Sequence, residues 1–176
     1  MDTLYLKQQS EDDAARIEEY RAEFPENRMR VTFDADRIPG LDHLEEFDSV
    51  GEWLAFCKEM AGKITWYLTV RESDGKAVGA LCLRHSLEYD DDDEEFASHI
   101  GYSVRPSERR KGYAKEQLRL GLKQAEVLGI ETVRIVCRDI NTGSVRTILA
   151  NGGILVETVY GEESGMHVNR YDIPLT

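Results

Sequence analysis

Cysteine is scarce in this sequence, which has three cysteines among 176 residues. Cys57, Cys82 and Cys137 are far apart, and no two of them have the C-x-x-C spacing. This distribution argues against a disulfide framework and against a zinc site, and it favours a reducing compartment. We therefore expect no bound metal, and we predict a cytoplasmic location.

Long apolar runs are also absent from the sequence. No stretch has the length needed to span a bilayer, and the first residues lack the basic and apolar regions of a signal peptide. We therefore expect no membrane partner. Apolar residues make up 41% and charged residues 32% of the chain, as in a folded globular protein. The length fits a single domain over residues 1–176.

Positive charge is in deficit. The chain has 22 Lys and Arg against 34 Asp and Glu, which gives a net charge of −12. Nucleic acid is an unfavourable partner for such a chain, because phosphate binding requires a basic face. A cationic small molecule or peptide is easier to accommodate.

The order of the predicted elements indicates a mixed α/β fold. An antiparallel front is followed by alternating strands and helices, which places helices on the faces of a mixed sheet. The predicted strands are 4–7, 64–71, 77–84, 96–104, 132–137, 154–160 and 167–173. The predicted helices are 11–23, one that begins after Ser49, 112–128 and 141–150.

A cluster of cations lies between a predicted strand and a predicted helix, at residues 105–115, which we call the cationic loop. A helix N-terminus is already partially positive, so stacking cations there is unfavourable unless an anion fills the site. Unpaired amides at a helix start bind phosphate, and Gly112 allows the backbone to approach closely. The loop therefore predicts a phosphate or pyrophosphate site, with a solvated basic loop as the alternative. Its cations are Arg105, Arg109, Arg110, Lys111 and Lys115.

The cationic loop resembles a known cofactor-binding signature. The P-loop pattern GxxxxGK[ST] and the dinucleotide pattern GxGxxG are absent. Arg109-x-x-Gly112-x-Ala114 matches the Q/R-x-x-G-x-G/A signature of the GCN5-related N-acetyltransferase (GNAT) superfamily. The order of elements from 64 to 175 is similar too, and residues 99–114 and 151–153 resemble a bacterial branch of predicted acetyltransferases. The resemblance implies a GNAT fold, with a central twisted mixed sheet of about six to seven strands and helices on both faces.

The resemblance also implies acetyl-CoA as the cofactor and a set of residues that bind it. Asn141 is implied to contact the cofactor arm with Ser144 nearby, although Asp139 or Asn141 could equally serve as a helix cap. The residues implied for the pyrophosphate are Arg109, Arg110, Lys111, Gly112, Tyr113, Ala114 and Lys115. The residues implied for the pantetheine arm are Tyr102, Ser103 and Val104.

The usual proton donor of the family is missing. Acetyl transfer requires a deprotonated amine, a stabilised thioester oxygen and a protonated leaving thiolate. Many family members have a Tyr seven residues after the Asn, and this chain has Ile148 there. Tyr160 is taken as the predicted acid, with Tyr102 and Tyr171 as alternatives. Water could also serve, and a thiolate could leave unassisted, since its conjugate thiol has a pKa of about 8.5.

The predicted general base is His99, on the strand where family members often carry a Glu. An unperturbed imidazole titrates near pH 6.5 and accepts a proton readily. The alternatives are bound water, with His99 as a structural residue of the sheet, or weaker candidates at His85 and Glu88. Cys137 is expected to be a small buried residue and not a nucleophile.

The predicted function is acetyl transfer to a primary amine of a small molecule by direct attack in a ternary complex. The acidic run 90–95 could attract a cationic acceptor or could simply solubilise a loop. Residues 28–44 and the loop before Phe96 are expected to shape the acceptor cleft. A homodimer is compatible with the resemblance. Alternatives are peptide or protein N-acetylation, a non-catalytic acyl-CoA sensor, and a general anion-binding domain.

Overall fold

The computed structural model describes residues 1–24, 37–90, 96–162 and 165–176. These residues form two antiparallel sheets, with strand orders β1-β2-β3-β4 and β5-β7-β6. The strands are β1 (Leu4–Gln8), β2 (Ile64–Arg71), β3 (Ala77–Arg84), β4 (Ile100–Val104), β5 (Thr132–Arg138), β6 (Ile154–Gly161) and β7 (Met166–Pro174). The helices are α1 (Ala14–Ala22), α2 (Val50–Glu59), α3 (Tyr113–Val127) and α4 (Thr142–Ala150).

Both faces of the first sheet are covered by helices. On one face Trp66 and Leu68 of β2 pack with Trp53 of α2 in a buried core. On the other face Leu81 of β3 packs with Leu118 of α3, in a core that continues into β5 and β7. Alternate strand residues therefore face two different cores. This arrangement confirms the predicted mixed α/β class with helices on both faces.

The two sheets meet between β4 and β5. The backbone amide of His99 donates to the carbonyl of Arg134 (2.9 Å), and the Arg84 amide donates to the His99 carbonyl (2.8 Å). Residue 99 therefore links β3 to β5. The predicted strand 96–104 is shorter than expected and begins at Ile100, because the preceding residues cross between the sheets. The seven strands accordingly form two sheets where the resemblance implied a single central one.

Local sequence signals account for the starts of two helices. Helix α2 begins with a capping box, in which the Ser49 hydroxyl accepts from the Glu52 amide (3.2 Å). Helix α3 begins after Gly112, whose φ of 83° lies in the left-handed region that favours glycine. No helix in the described part of the chain is both long and apolar enough to cross a membrane.

Candidate active site

A cavity of about 100 Å³ opens between β4 and β5. Residues 100–102 of β4 and 135–138 of β5 form its two walls, and Asn141 and Ser144 at the start of α4 close one end. The strands make contact near their N-terminal ends, through residues 99 and 134, and the cavity lies beyond that contact. The space between the two sheets is therefore lined by the strand that the sequence assigns to the pantetheine arm.

The cationic loop presents a row of backbone amides at the start of α3. Arg110 has a φ of 65° and Gly112 a φ of 83°, so the backbone turns twice through the left-handed region. Within the described residues, the amides of 110–115 donate no hydrogen bond to a protein acceptor. Such amides at a helix N-terminus suit an anionic group. The residues present therefore fit the pyrophosphate of acetyl-CoA.

Two of the five cations of the loop are neutralised by the protein itself. Arg105 is 3% exposed and donates to Glu19 (2.7 Å) and Glu23 (2.6 Å) of the α1 segment. Lys111 donates to Glu108 (2.7 Å). All five cations were expected to be available for an anion. The structure contradicts this expectation for Arg105 and Lys111. Arg105 pairs with Glu19 and Glu23, which are distant in sequence, and Lys111 pairs with the buried Glu108 of the loop itself.

The remaining loop residues are placed differently from one another. Arg109 donates to the Val104 carbonyl (3.1 Å), and its guanidinium lies 5.7 Å from the centre of the Phe24 ring. Arg110 and Lys115 are exposed, while Ala114 is half-buried. The Tyr113 side chain is buried, so its backbone amide is the part that the site can use.

Glu108 connects the cationic loop to the β2–β3 hairpin. It is 4% exposed and accepts from Arg71 (2.8 Å), Lys76 (2.8 Å) and Lys111 (2.7 Å). Burial alone would raise the pKa of Glu108, but the hydrogen bonds from these three cations outweigh it and lower the pKa to about 2. Glu108 is therefore ionised at neutral pH and fixes the loop that carries the amides.

A pair of hydroxyl groups lines the end of the cavity near α4. The Tyr102 hydroxyl and the Ser144 hydroxyl lie 2.8 Å apart, and both residues line the cavity. Burial raises the pKa of Tyr102, so its phenol stays protonated. Asn141 caps α4 by accepting from the Ser144 amide (3.2 Å), as the capping alternative expected, and it also lines the cavity. The Ser103 hydroxyl is bonded to the Tyr20 hydroxyl (2.9 Å).

Cys137 lies beside this hydroxyl pair on β5. Burial raises the pKa of Cys137 to about 11, so the thiol is protonated at neutral pH. This state agrees with a small buried residue and not with a nucleophile.

The structure does not bring His99 into the cavity. Its Nδ1 accepts from the Arg134 amide (2.9 Å), so the ring joins β4 to β5. Burial and the nearby Arg134 charge lower the pKa of His99 to about 4. His99 is not among the described residues that line the cavity. These contacts favour the structural alternative for His99 over the predicted general base, because its Nδ1 is occupied and its imidazole is weakly basic.

Tyr160 is also not among the described residues that line the cavity. It is 53% exposed on β6 and packs against the His167 ring at 4.9 Å. Tyr171 is buried in the second core, where its hydroxyl accepts from Asn169 (3.1 Å). Of the three tyrosines considered for the acid, Tyr102 is the one that lines the cavity. The geometry therefore favours Tyr102 over the predicted Tyr160 as the candidate acid.

Ile148 is not among the described residues that line the cavity. Its side chain is fully buried in the core between α3, α4 and β5. A Cβ added at Gly153 would lie 2.4 Å from the Ile148 side chain, so the chain packs closely on it. The departure from the family pattern at this position is therefore a feature of core packing.

Three charged residues lie together at the other end of the cavity. Asp42 belongs to the predicted cleft segment 28–44 and Asp90 to the acidic run 90–95, but their meeting with Arg84 was not predicted. Arg84 donates to the Ser98 carbonyl (3.1 Å) and lies 3.4 Å from Asp90 and 3.7 Å from Asp42. All three side chains are buried and line the cavity. They come from three separate segments, so no local pattern could reveal the cluster. Most of the acidic run, 91–95, and part of the predicted cleft segment, 28–36, lie outside the described residues.

Comparison with known proteins adds independent information. Residues 3–154 match the family model described as the acetyltransferase (GNAT) domain. No curated protein matches the sequence significantly.

Among solved structures, the chain resembles the Salmonella typhimurium acetyltransferase that modifies the N-terminal serine of ribosomal protein L7/L12, with a TM-score of 0.73, 17% identity, and coverage of 100% of this chain and 97% of that one. A second is the Salmonella typhimurium protein yncA, solved with its cofactor acetyl-CoA (TM-score 0.69, 13% identity, coverage 98% and 94%). A third is a chimera of the Vibrio cholerae spermidine N-acetyltransferase SpeG and hSSAT (TM-score 0.69, 13% identity, coverage 97% and 95%). At these identities the structural likeness shows the fold alone.

Proposed function

Because this chain belongs to the GNAT acetyltransferase family, whose model matches residues 3–154, we propose that it transfers the acetyl group of acetyl-CoA to a primary amine of a small molecule. Family membership makes it an acetyl-CoA-dependent N-acetyltransferase, and the acceptor is the part that we propose. The observation that carries the proposal is that β4, which lines the cavity, leads directly into the cationic loop. The cationic loop offers amides 110–115 to an anion, and the cavity between β4 and β5 holds room for an acceptor.

We propose direct attack of the amine on the thioester within a ternary complex. Cys137 stays a protonated thiol, which argues against an acetylated protein intermediate. The Tyr102–Ser144 hydroxyl pair supports proton donation to the departing thiolate, since it lines the cavity and stays protonated. With the Nδ1 of His99 occupied, we propose water as the acceptor of the amine proton.

The test is a panel of amines assayed with acetyl-CoA by release of the free thiol. The panel contains amino acids, polyamines including spermidine, aminoglycosides, amino sugars and short peptides, one of which begins with serine. Turnover of one small-molecule class supports the proposal. Turnover confined to the peptides would replace it with peptide or protein N-acetylation, which a structural neighbour performs on a ribosomal protein.

Absence of turnover has its own interpretation. If acetyl-CoA binds by calorimetry and no amine releases thiol, the non-catalytic sensor becomes the better description of the chain. If sulfate or nucleotides bind as tightly as acetyl-CoA, the general anion-binding domain does. The expected homodimer stays a prediction and is tested by sedimentation.

A further inference from the structure

Asp42 places a buried carboxylate in the wall of the cavity. The residue precedes α2, is 4% exposed, and is among those that line the cavity. Its backbone carbonyl accepts from the Trp53 indole (3.0 Å). Its Oδ2 accepts from the Gly40 amide (3.1 Å) and from the Cys82 thiol (2.8 Å). Trp53 therefore fixes the backbone of Asp42, while Gly40 and Cys82 fix the orientation of its carboxylate.

The second oxygen of this carboxylate has a different environment. Oδ1 lies 3.7 Å from Arg84 and 3.7 Å from Arg37, which is beyond hydrogen-bond distance. Oδ1 accepts no hydrogen bond from any residue that the structure describes. Burial would raise the pKa of Asp42, but the Arg84 and Arg37 charges outweigh it and lower the pKa. Asp42 therefore keeps its charge and retains hydrogen-bonding capacity at Oδ1.

Gly101 explains how the carboxylate comes so close to β4. A Cβ added at Gly101 would lie 3.1 Å from Asp42 Oδ2 and 3.3 Å from Cys82 Sγ. The hydrogen of glycine leaves this space to the carboxylate. Gly101 immediately precedes Tyr102, so Asp42 lies beside the strand assigned to the pantetheine arm. The carboxylate is thus placed where an acceptor would approach the donor.

The neighbouring carboxylate, that of Asp90, is less well placed to bind a ligand. Asp90 Oδ2 accepts from the Ser98 amide (2.8 Å) and lies 3.4 Å from Arg84. Its role is to join the segment before β4 to the cluster. Asp42 is therefore the better placed of the two buried carboxylates to meet a ligand.

We propose that Asp42 Oδ1 binds the amino group of the acceptor as an ammonium ion, and so selects amines that are protonated in solution. This inference rests on the proposed acetyl transfer, and it identifies the end of the cavity near Asp42 as the part that binds the acceptor. A charge-assisted N–H···O bond to a buried carboxylate is stronger than a neutral one. Asp42 binds the ammonium ion but does not accept its proton. The proton passes to water before the amine attacks the thioester.

The first test is Asp42→Asn, which removes the charge and keeps the shape. With the amine that the wild type acetylates best, we expect kcat/KM to fall about tenfold or more through the KM of the amine. The KM of acetyl-CoA and kcat should stay within about twofold of the wild type. Asp172→Asn is the matched control, because Asp172 pairs with Arg134 (3.0 Å) outside the cavity and should leave both KM values unchanged.

A second variant displaces the carboxylate without removing it. Gly101→Ala places a methyl group against Asp42 Oδ2 and should raise the same KM. Melting temperatures of all variants establish that they fold. An unchanged amine KM in Asp42→Asn overturns the proposal. An equal rise in the KM of amine and of acetyl-CoA also overturns it, since that is the result of a merely structural role.

If Asp42→Asn does not fold, a binding measurement on the wild-type protein still tests the proposal. Binding of n-butylamine and of its neutral analogue 1-butanol is compared by NMR in the presence of CoA. The ammonium should bind at least about tenfold more tightly. Equal binding overturns the role of Asp42. This comparison needs no turnover, so failure of the proposed transferase activity and failure of the ammonium site give different results.

Discussion

Replacement of Gly112 by Asp and, separately, by Asn tests the phosphate assignment of the cationic loop. Gly112 has φ 83° and ψ 4° and caps α3. Asp and Asn tolerate the left-handed region better than other side chains and are good helix caps. An added Cβ would meet the terminal methyl of Met1 at 2.8 Å, which is the far end of a flexible side chain. Both variants should therefore fold, with the same backbone cost of about 1 kcal/mol.

The two variants differ in charge alone. A carboxylate at residue 112 would lie about 5 Å from a phosphate bound to amides 110–115, where two unit charges repel by about 1 kcal/mol in water and about 3 kcal/mol at an effective dielectric constant of 20. A pyrophosphate brings at least two such charges, and the loop is exposed, which favours the lower value. Acetyl-CoA should bind the Asp variant at least about tenfold more weakly than the Asn variant.

Calorimetric titration with acetyl-CoA measures this difference, and S-acetyl-pantetheine, which lacks the pyrophosphate, is the control donor. The Asp and Asn variants should use S-acetyl-pantetheine equally well. Equal affinity of the two variants for acetyl-CoA would refute the assignment. So would a loss in the Asp variant that is the same for both donors, because that result would place the defect outside the pyrophosphate.

Three further predictions concern stability, catalysis and pH. Glu108→Gln removes the shared partner of three cations and should lower the free energy of unfolding by about 3 kcal/mol in denaturant melts, whereas Glu116→Gln, which breaks an exposed pair with Arg119, should cost less than about 1 kcal/mol. Tyr102→Phe should lower kcat by about a hundredfold with little change in the KM of acetyl-CoA; an unchanged kcat would remove the hydroxyl pair as proton donor. The pKa of His99 is lowered from 6.5 to about 4, so its stabilising contribution is complete above pH 6.5 and is lost as the pH falls towards 4. Thermal melts between pH 7 and 4 should therefore show a loss of up to about 3 kcal/mol that His99→Gln reduces, and an identical pH dependence in the variant would contradict this.

The fold was largely predictable because its signals are local. Periodicity located the helices and strands, and Ser49 marked the start of α2. The error at residues 96–99 has a tertiary cause. These residues read as a strand, but hydrogen bonds to Asp90 and Arg134 draw them across the junction of the sheets. A sequence pattern does not contain that junction.

Part of the candidate site could likewise be predicted from the sequence, and part of it could not. The cationic loop is contiguous, so its glycine and its position before a helix could be recognised. The pairing of Arg105 with Glu19 and Glu23 could not, because these partners lie more than eighty residues apart. The proximity of Asp42 to Arg84 could not be predicted either, because it depends on how the segment before α2 packs against β3.

The anchoring of Glu108 has a consequence for the entropy of cofactor binding. Residues 105–115 are attached to the β2–β3 hairpin through Arg71 and Lys76, and to α1 through Arg105. A segment that is ordered before its ligand arrives loses little conformational freedom on binding. If the loop binds the pyrophosphate as proposed, the binding free energy therefore does not have to offset the ordering of a flexible segment. A chain with the same signature and no buried carboxylate at this position would present the same amides and bind the same anion more weakly.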